Sequence, residues 1–194
     1  MKRVSVCLLA LLTVMIMCGH VPPTHYFTLE VPEREAASQP HAGTLCIYPF
    51  SASSHLSQDR LVYRTAPYEI KFDHYRRWID TPAQMLTFKA LDYFRVAGVF
   101  EQVSLHPPRG QKALILHGKV EAFEEVMRGA ERVALIKIWA EIRDHGDQRL
   151  LWSGSLESER PITGSDAISI IRAMSESAGD LYDQILNVIL KLAL

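Results

Sequence analysis

Of the chain's 194 residues, 48% are hydrophobic and 22% charged, the balance of an ordinary globular protein rather than of a disordered or membrane-embedded one. The length suits one domain near the upper end of the usual range. Lys and Arg number 21 against 22 Asp and Glu, so no basic field exists to recruit nucleic acid.

Residues 1–17 read as an export leader. Lys2 and Arg3 give a short positive start, and residues 4–17 form a largely apolar run. That run is about 14 residues long, whereas a spanning helix needs roughly 20. Cys18 sits at the junction with the polar Gly19-His20-Val21-Pro22-Pro23, where a bacterial lipoprotein signal places its acylated cysteine. In that reading the thiol takes a diacylglycerol, the leader is cut before Cys18, and the new amine is acylated. Each buried methylene contributes about 0.8 kcal/mol, so two or more chains hold firmly. Met15 and Met17 stand where such a signal usually has a leucine and a small residue. Gly19 differs from the aspartate that marks inner-membrane retention in enteric bacteria, which favours the periplasmic face of the outer membrane. The chain therefore divides into a leader (1–17), a lipidated cysteine with its tether (18–25) and a folded domain (26–194).

Cys7 leaves with the leader. Cys18 and Cys46 could pair in an oxidising compartment, but a lone buried thiol is the favoured reading of Cys46. Its neighbours Leu45, Ile47, Tyr48 and Phe50 read as strand.

A short β-prone run at 26–29 precedes a polar loop at 32–43, and 44–51 reads as a strand ending at Pro49. After a loop at 53–59, Leu61-Val62-Tyr63 is broken by Pro67. Tyr68, Ile70 and Phe72 then alternate with Glu69, Lys71 and Asp73, and the two runs predict a hairpin. Residues 81–97 predict a helix with a Thr81–Gln84 capping box, Pro82 in the first turn and a Gly98 stop. Its apolar face is Leu86, Ala90, Tyr93, Phe94 and Ala97.

A strand at 100–105 is followed by three longer ones. Along 113–123, Leu114, Leu116, Val120 and Ala122 are assigned to one face; along 132–143, Ala134, Ile136, Ile138, Ala140 and Ile142 share one. Asp144-His145-Gly146-Asp147 turns the chain into 149–159, completing an antiparallel meander. From about Asp166 a long helix repeats Ile171, Met174, Ala178, Leu181, Ile185, Val188 and Leu192 at steps of three and four. That seam is read as covering the domain's own sheet, with Ile189, Leu190 and Leu194 the place for a partner helix if there is one. The fold class is α+β, a mostly antiparallel sheet with two main helices packed on one face.

No catalytic constellation emerges. The eight histidines form no metal-binding pair, no Cys-x-x-Cys exists, and nucleophile-elbow, phosphate-loop and dinucleotide fingerprints are missing. Asp73-His74 reads as neighbouring strand residues on opposite faces, unable to cooperate. The chain is read as no enzyme, with no cofactor and no metal.

The most informative segment is 60–78, which interleaves aromatic rings with cations. Two readings stand level: core rings with cations outside, or a docking surface, since Tyr, Trp and Arg concentrate at interface hot spots. The candidate partner-binding residues are Arg60, Tyr63, Arg64, Tyr68, Tyr75, Arg77 and Trp78.

The run from Cys18-Gly19 through Pro22-Pro23-Thr24-His25-Tyr26-Phe27-Thr28-Leu29 resembles the mature start of the ABC-type transport auxiliary lipoproteins, which include the lipoprotein of the paraquat-inducible system. Asp59-Arg60-Leu61-Val62-Tyr63-Arg64, Pro67-Tyr68-Glu69, Tyr75, Arg77-Trp78 and Pro82-Ala83-Gln84-Met85-Leu86 carry the similarity further. Phe123-Glu124, residues 136–143 and Leu151-Trp152-Ser153 extend it. The resemblance implies a non-catalytic periplasmic accessory of an ABC/MCE-type lipid transport system, whose partners are an MCE-domain protein with its permease and ATPase. Two other readings compete: a lipid- or small-molecule-binding module whose aromatics line a cavity, and an envelope assembly factor that forms a homo-oligomer through its last helix.

Overall fold

The structure, a computed structural model, describes residues 21–32, 36, 42–107 and 112–192. The leader, Cys7, Cys18 and Leu194 lie outside the described residues. In chain order the elements are β1 (His25–Phe27), β2 (Ala42–Ile47), β3 (Ser51–Ala52), a 3-10 turn (Ser54–Leu56), β4 (Arg60–Ala66), β5 (Glu69–Trp78), α1 (Pro82–Val96) and β6 (Phe100–Ser104). They continue with β7 (Ala113–Arg128), β8 (Glu131–Asp144), β9 (Leu150–Pro161) and α2 (Ala167–Leu192).

β7 organises the sheet. One edge pairs antiparallel with β8, which pairs with β9, the expected meander. The other edge collects β2, β3 and β4 in succession, all parallel to it. β6 adds parallel to β2, and β1 adds parallel to β5. The expectation of a mostly antiparallel sheet is therefore corrected: the sheet is mixed. Hairpin turns impose antiparallel pairing only between chain neighbours, as in β4–β5, β7–β8 and β8–β9, whereas β2, β3 and β4 meet β7 from far earlier in the chain and run parallel to it. The β4–β5 hairpin forms as expected, antiparallel with Val62 opposite Phe72.

β7 also outruns its predicted end and changes face. The alternation assigned Leu114, Leu116, Val120 and Ala122 to one side, but the β7–β8 register shifts between Val120 and Ala122. This bulge inserts one unpaired residue, so the core-facing parity moves from Val120 to Phe123. The strand then continues through Glu124 and Glu125 because each carboxylate meets an arginine, Arg64 and Arg132 respectively.

Both helices cover one face, as expected. α1 starts with the predicted capping box at Thr81 and Gln84, and Gly98 closes it at a φ of 64°. Leu86, Ala90, Tyr93, Phe94 and Ala97 are all buried. Tyr182 of α2 donates its hydroxyl to the Leu86 carbonyl at 2.8 Å, tying the helices together. The α2 seam from Ile171 to Ile185 is buried in the domain's own core, and at the C-terminal end Ile189 is buried while Leu192 is 38% exposed. Steps averaging 3.5 residues drift around a 3.6-residue helix, which turns Leu192 out and Ile189 in.

After β1 the chain runs as a strap against α2. Leu29 is buried, the Glu30 amide donates to Ser175 Oγ at 3.0 Å, and Val31 and Pro32 lie against the Gly179 backbone.

Candidate functional site

Residues opposite each other in a ladder share a face of the sheet. Arg60 faces Arg77, Arg77 faces Tyr26, and Val62 faces Phe72. With Arg64 two residues beyond Val62, the side of the sheet away from the helices carries Tyr26, Arg77, Arg60, Val62, Phe72 and Arg64. Tyr26 is 61% exposed. Arg77 is held by Asp59, Nη1 to Oδ1 at 3.0 Å and to Oδ2 at 3.1 Å, and Arg60 is half-buried.

The seven residues singled out in the sequence therefore separate. Arg60, Arg64 and Arg77 lie on this outer face. Trp78 lies beneath, 1% exposed, its ring edge-on to Phe123 with centroids 5.1 Å apart. Tyr63 also points to the helix side, half-buried beside Leu61, Arg76 and Met174. Tyr68 stands fully exposed at the hairpin turn, and Tyr75 is 41% exposed. Trp78 is thus a core ring, whereas Arg64, Arg77, Tyr68 and Tyr75 border solvent.

Tyr75 is exposed because β5 is not regular there. The register jumps from Val62–Phe72 to Arg60–Arg77. Asp73 stabilises the excursion: its Oδ1 accepts from the amides of Tyr75 at 2.9 Å and Arg76 at 2.7 Å, while Oδ2 accepts from Arg76 Nε at 2.7 Å. These donors hold the Asp73 carboxyl below the usual carboxylate range although its burial pushes the other way. Asp73 is thus a backbone brace with no catalytic arrangement toward His74, for a reason more specific than strand alternation.

Arg64 is the most constrained of the cations. Nε and Nη2 reach the two oxygens of Glu124 at 3.1 and 3.2 Å, and Nη1 donates to the Pro67 carbonyl at 3.1 Å. Glu124 is only 4% exposed. The guanidinium therefore shapes the hairpin turn as well as neutralising a buried acid.

Elsewhere, chemistry is sparse. Among the described residues no group of His, Cys, Asp and Glu is arranged to hold a metal ion. Cys46 is a free buried thiol whose burial pushes its pKa up to about 11. His117 stacks edge-on to Tyr48 at 4.6 Å, and desolvation lowers its pKa against the pull of Glu141. The space enclosed by Tyr63, Trp78, Phe123 and their neighbours amounts to about 10 Å³, hardly one water. Two clefts of about 210 and 280 Å³ flank the strap, and charged Lys89, Asp92, Glu176, Asp180 and Asp183 line much of them.

Tyr26, Phe72, Asp59 and Glu124 belong to this surface without having been chosen from the sequence. Tyr26 joins it only through the parallel β1–β5 pair, which no local pattern announces.

The family model for the ABC-type transport auxiliary lipoprotein component matches residues 27–186. Among solved structures, a Xanthomonas campestris protein of the family model DUF330 superposes with a TM-score of 0.75 at 20% identity, over 87% of this chain and 96% of its own. A further uncharacterised protein gives a TM-score of 0.70 at 14% identity, over 87% and 99%. A hypothetical protein from Chlamydia trachomatis gives 0.56 at 8% identity, over 78% and 98%. At these identities the likeness is one of fold. No curated protein matches the chain.

Proposed function

The chain belongs to the ABC-type transport auxiliary lipoprotein component family, and from that premise we propose that it is a non-catalytic periplasmic accessory of an ABC/MCE-type lipid transport system, linking the transporter to the outer membrane. A member of a lipoprotein family is an envelope protein anchored to a membrane, and the family is described as a transport auxiliary component rather than an enzyme. Cys18 is the proposed attachment point, the outer membrane the proposed address, and an MCE-domain protein with its permease and ATPase the proposed partners.

The observation that carries the proposal is the outer face of β1, β5 and β4, where Tyr26, Arg60 and Arg77 stand in register beside the end of the tether. An aromatic ring among guanidinium groups suits a partner surface offering carboxylates and apolar side chains. Tyr68 and Tyr75 border this face, Arg64 braces it, and Trp78 and Tyr63 support it from the helix side.

The cavity-binding alternative has little support, because the rings beneath the hairpin enclose too little space for an acyl chain. Oligomerisation through α2 is also poorly supported, since the seam is largely buried within the chain.

Co-expression of the full-length lipoprotein with the MCE-domain protein, permease and ATPase tests the reading. Affinity capture of the lipoprotein from detergent-solubilised envelopes is expected to recover the MCE-domain protein, and Arg60→Glu to reduce that recovery at least tenfold. Capture of the unmodified chain with no transporter subunit would overturn it.

A further inference from the structure

Three chain reversals meet at one end of the sheet. β4 runs parallel to β7 with Arg64 opposite Val126, so the β4–β5 turn lies at the same end as the β7–β8 turn. Ile162, just past β9, donates its amide to the Arg132 carbonyl, and Arg132 Nη1 reaches the Gly164 carbonyl at 2.8 Å. The first turn of α2 therefore begins there too. Apolar side chains stand out from all three: Tyr68 fully exposed, Met127 at 36% and Ile168 at 54%.

The tether comes from the same side. β1 runs parallel to β5 and starts with His25 opposite Arg76, immediately past exposed His74 and Tyr75. The chain preceding His25 thus arrives from the direction of the β4–β5 turn. Fully extended, residues 18–25 span at most about 25 Å. From Arg76 back to Glu69, β5 covers less, about 20 Å at most, because Glu69 pairs with Ala66 and Arg77 with Arg60 across the register jump. A lipid on Cys18 is therefore within reach of the level of Tyr68.

We propose that this end, with Tyr68, Met127 and Ile168 at its rim, rests on the phospholipid bilayer and sets the orientation of the domain on the membrane. The inference rests on the lipoprotein reading of Cys18. Tyrosine suits the headgroup region because its ring is apolar and its hydroxyl stays hydrated. Many charges at this end are already matched, as in Arg64–Glu124, Arg128–Glu159 and Arg132–Glu125, so bilayer contact strands none of these groups. Leu150, at the opposite end, is also 45% exposed. Exposure alone does not choose between the ends; the direction and reach of the tether do. The sheet then stands upright on the membrane, with Tyr26, Arg60 and Arg77 facing sideways toward a partner.

Full-length acylated protein carrying Tyr68→Cys, and separately Leu150→Cys, can be labelled with a nitroxide and reconstituted into phosphatidylethanolamine–phosphatidylglycerol vesicles. Power saturation then compares collisions with oxygen and with a water-soluble nickel chelate. The expected result is oxygen-dominated relaxation at position 68 and nickel-dominated relaxation at position 150, roughly 50 Å away along β7. Nickel-dominated relaxation at position 68 in protein that floats with the vesicles overturns the proposal and leaves the lipoprotein reading standing. Immersion of both positions also overturns it. Failure of the protein to float overturns both together.

Discussion

Arg64 and Glu124 meet in a two-point contact across the parallel junction of β4 and β7, at 3.1 and 3.2 Å. The carboxylate is nearly inaccessible and the guanidinium side chain is 25% exposed. Removing only the cation leaves a buried charge without compensation, the costly half of breaking such a pair. Arg64→Ala is expected to destabilise the domain by about 3 kcal/mol in urea unfolding. Arg64→Met with Glu124→Leu should lose much less than the sum of the single changes, because neither charge then remains buried.

Trp78 and Tyr68, both taken from the sequence as docking residues, should behave oppositely on mutation. Trp78→Ala empties a site packed on Phe123 and is expected to cost about 3–5 kcal/mol. Tyr68→Ser changes a side chain outside the core and should shift stability by no more than about 0.5 kcal/mol. Thermal and urea unfolding of both variants checks the contrast, and equal losses would contradict this assignment of the two rings.

Local chemistry made the hairpin, the capped helix, the long strands and the α2 seam legible. Thr81, Pro82 and Gly98 mark their helix because caps and stops act within a turn. The pairing partners of β1 and β2 carry no such mark: parallel ladders join segments far apart in sequence, and alternation along a strand is the same whichever way its neighbour runs. Glu124 hid both the length of β7 and its own role, because an acid is read as exposed until its arginine, sixty residues away along the chain, is found opposite it. The candidate face was suggested by composition, but its geometry was not. The register jump at Asp73 turns Tyr75 outward, whereas the face reached by Trp78 depends on the tertiary fold.

Cys46 offers a check on burial that is independent of stability. Its thiol is inaccessible and its pKa is pushed up to about 11, so at pH 8 almost none is thiolate. Iodoacetamide at pH 8 is expected to leave the Cys46 peptide unmodified in folded protein and to alkylate it completely in 8 M urea. Peptide mass spectrometry reads the difference. Rapid modification without denaturant would show that β2 opens readily from between β6 and β7.

The bridge from β9 to α2 should be lost on acidification. Asp180 Oδ2 accepts from Ser158 Oγ at 2.8 Å and Arg160 Nε at 2.6 Å. The hydrogen bond from Arg160, aided by that from Ser158 and by the arginine's charge, holds the Asp180 carboxyl below its ordinary range against the opposing effect of burial. A carboxyl whose folded pKa is depressed stabilises the fold fully above its unfolded value, about 3.9, and loses that contribution as the pH falls through the folded value. Asp180→Asn is therefore expected to cost about 1 kcal/mol at pH 7, a modest figure because solvent screens this half-open pair. The difference between the native chain and the variant should persist down to about pH 5 and narrow progressively below about pH 4. Urea midpoints at pH 7, 5, 4 and 3 measure it. A difference that stays constant to pH 3 would mean that Asp180 acts through shape and neutral hydrogen bonding, not through the charge it places opposite Arg160.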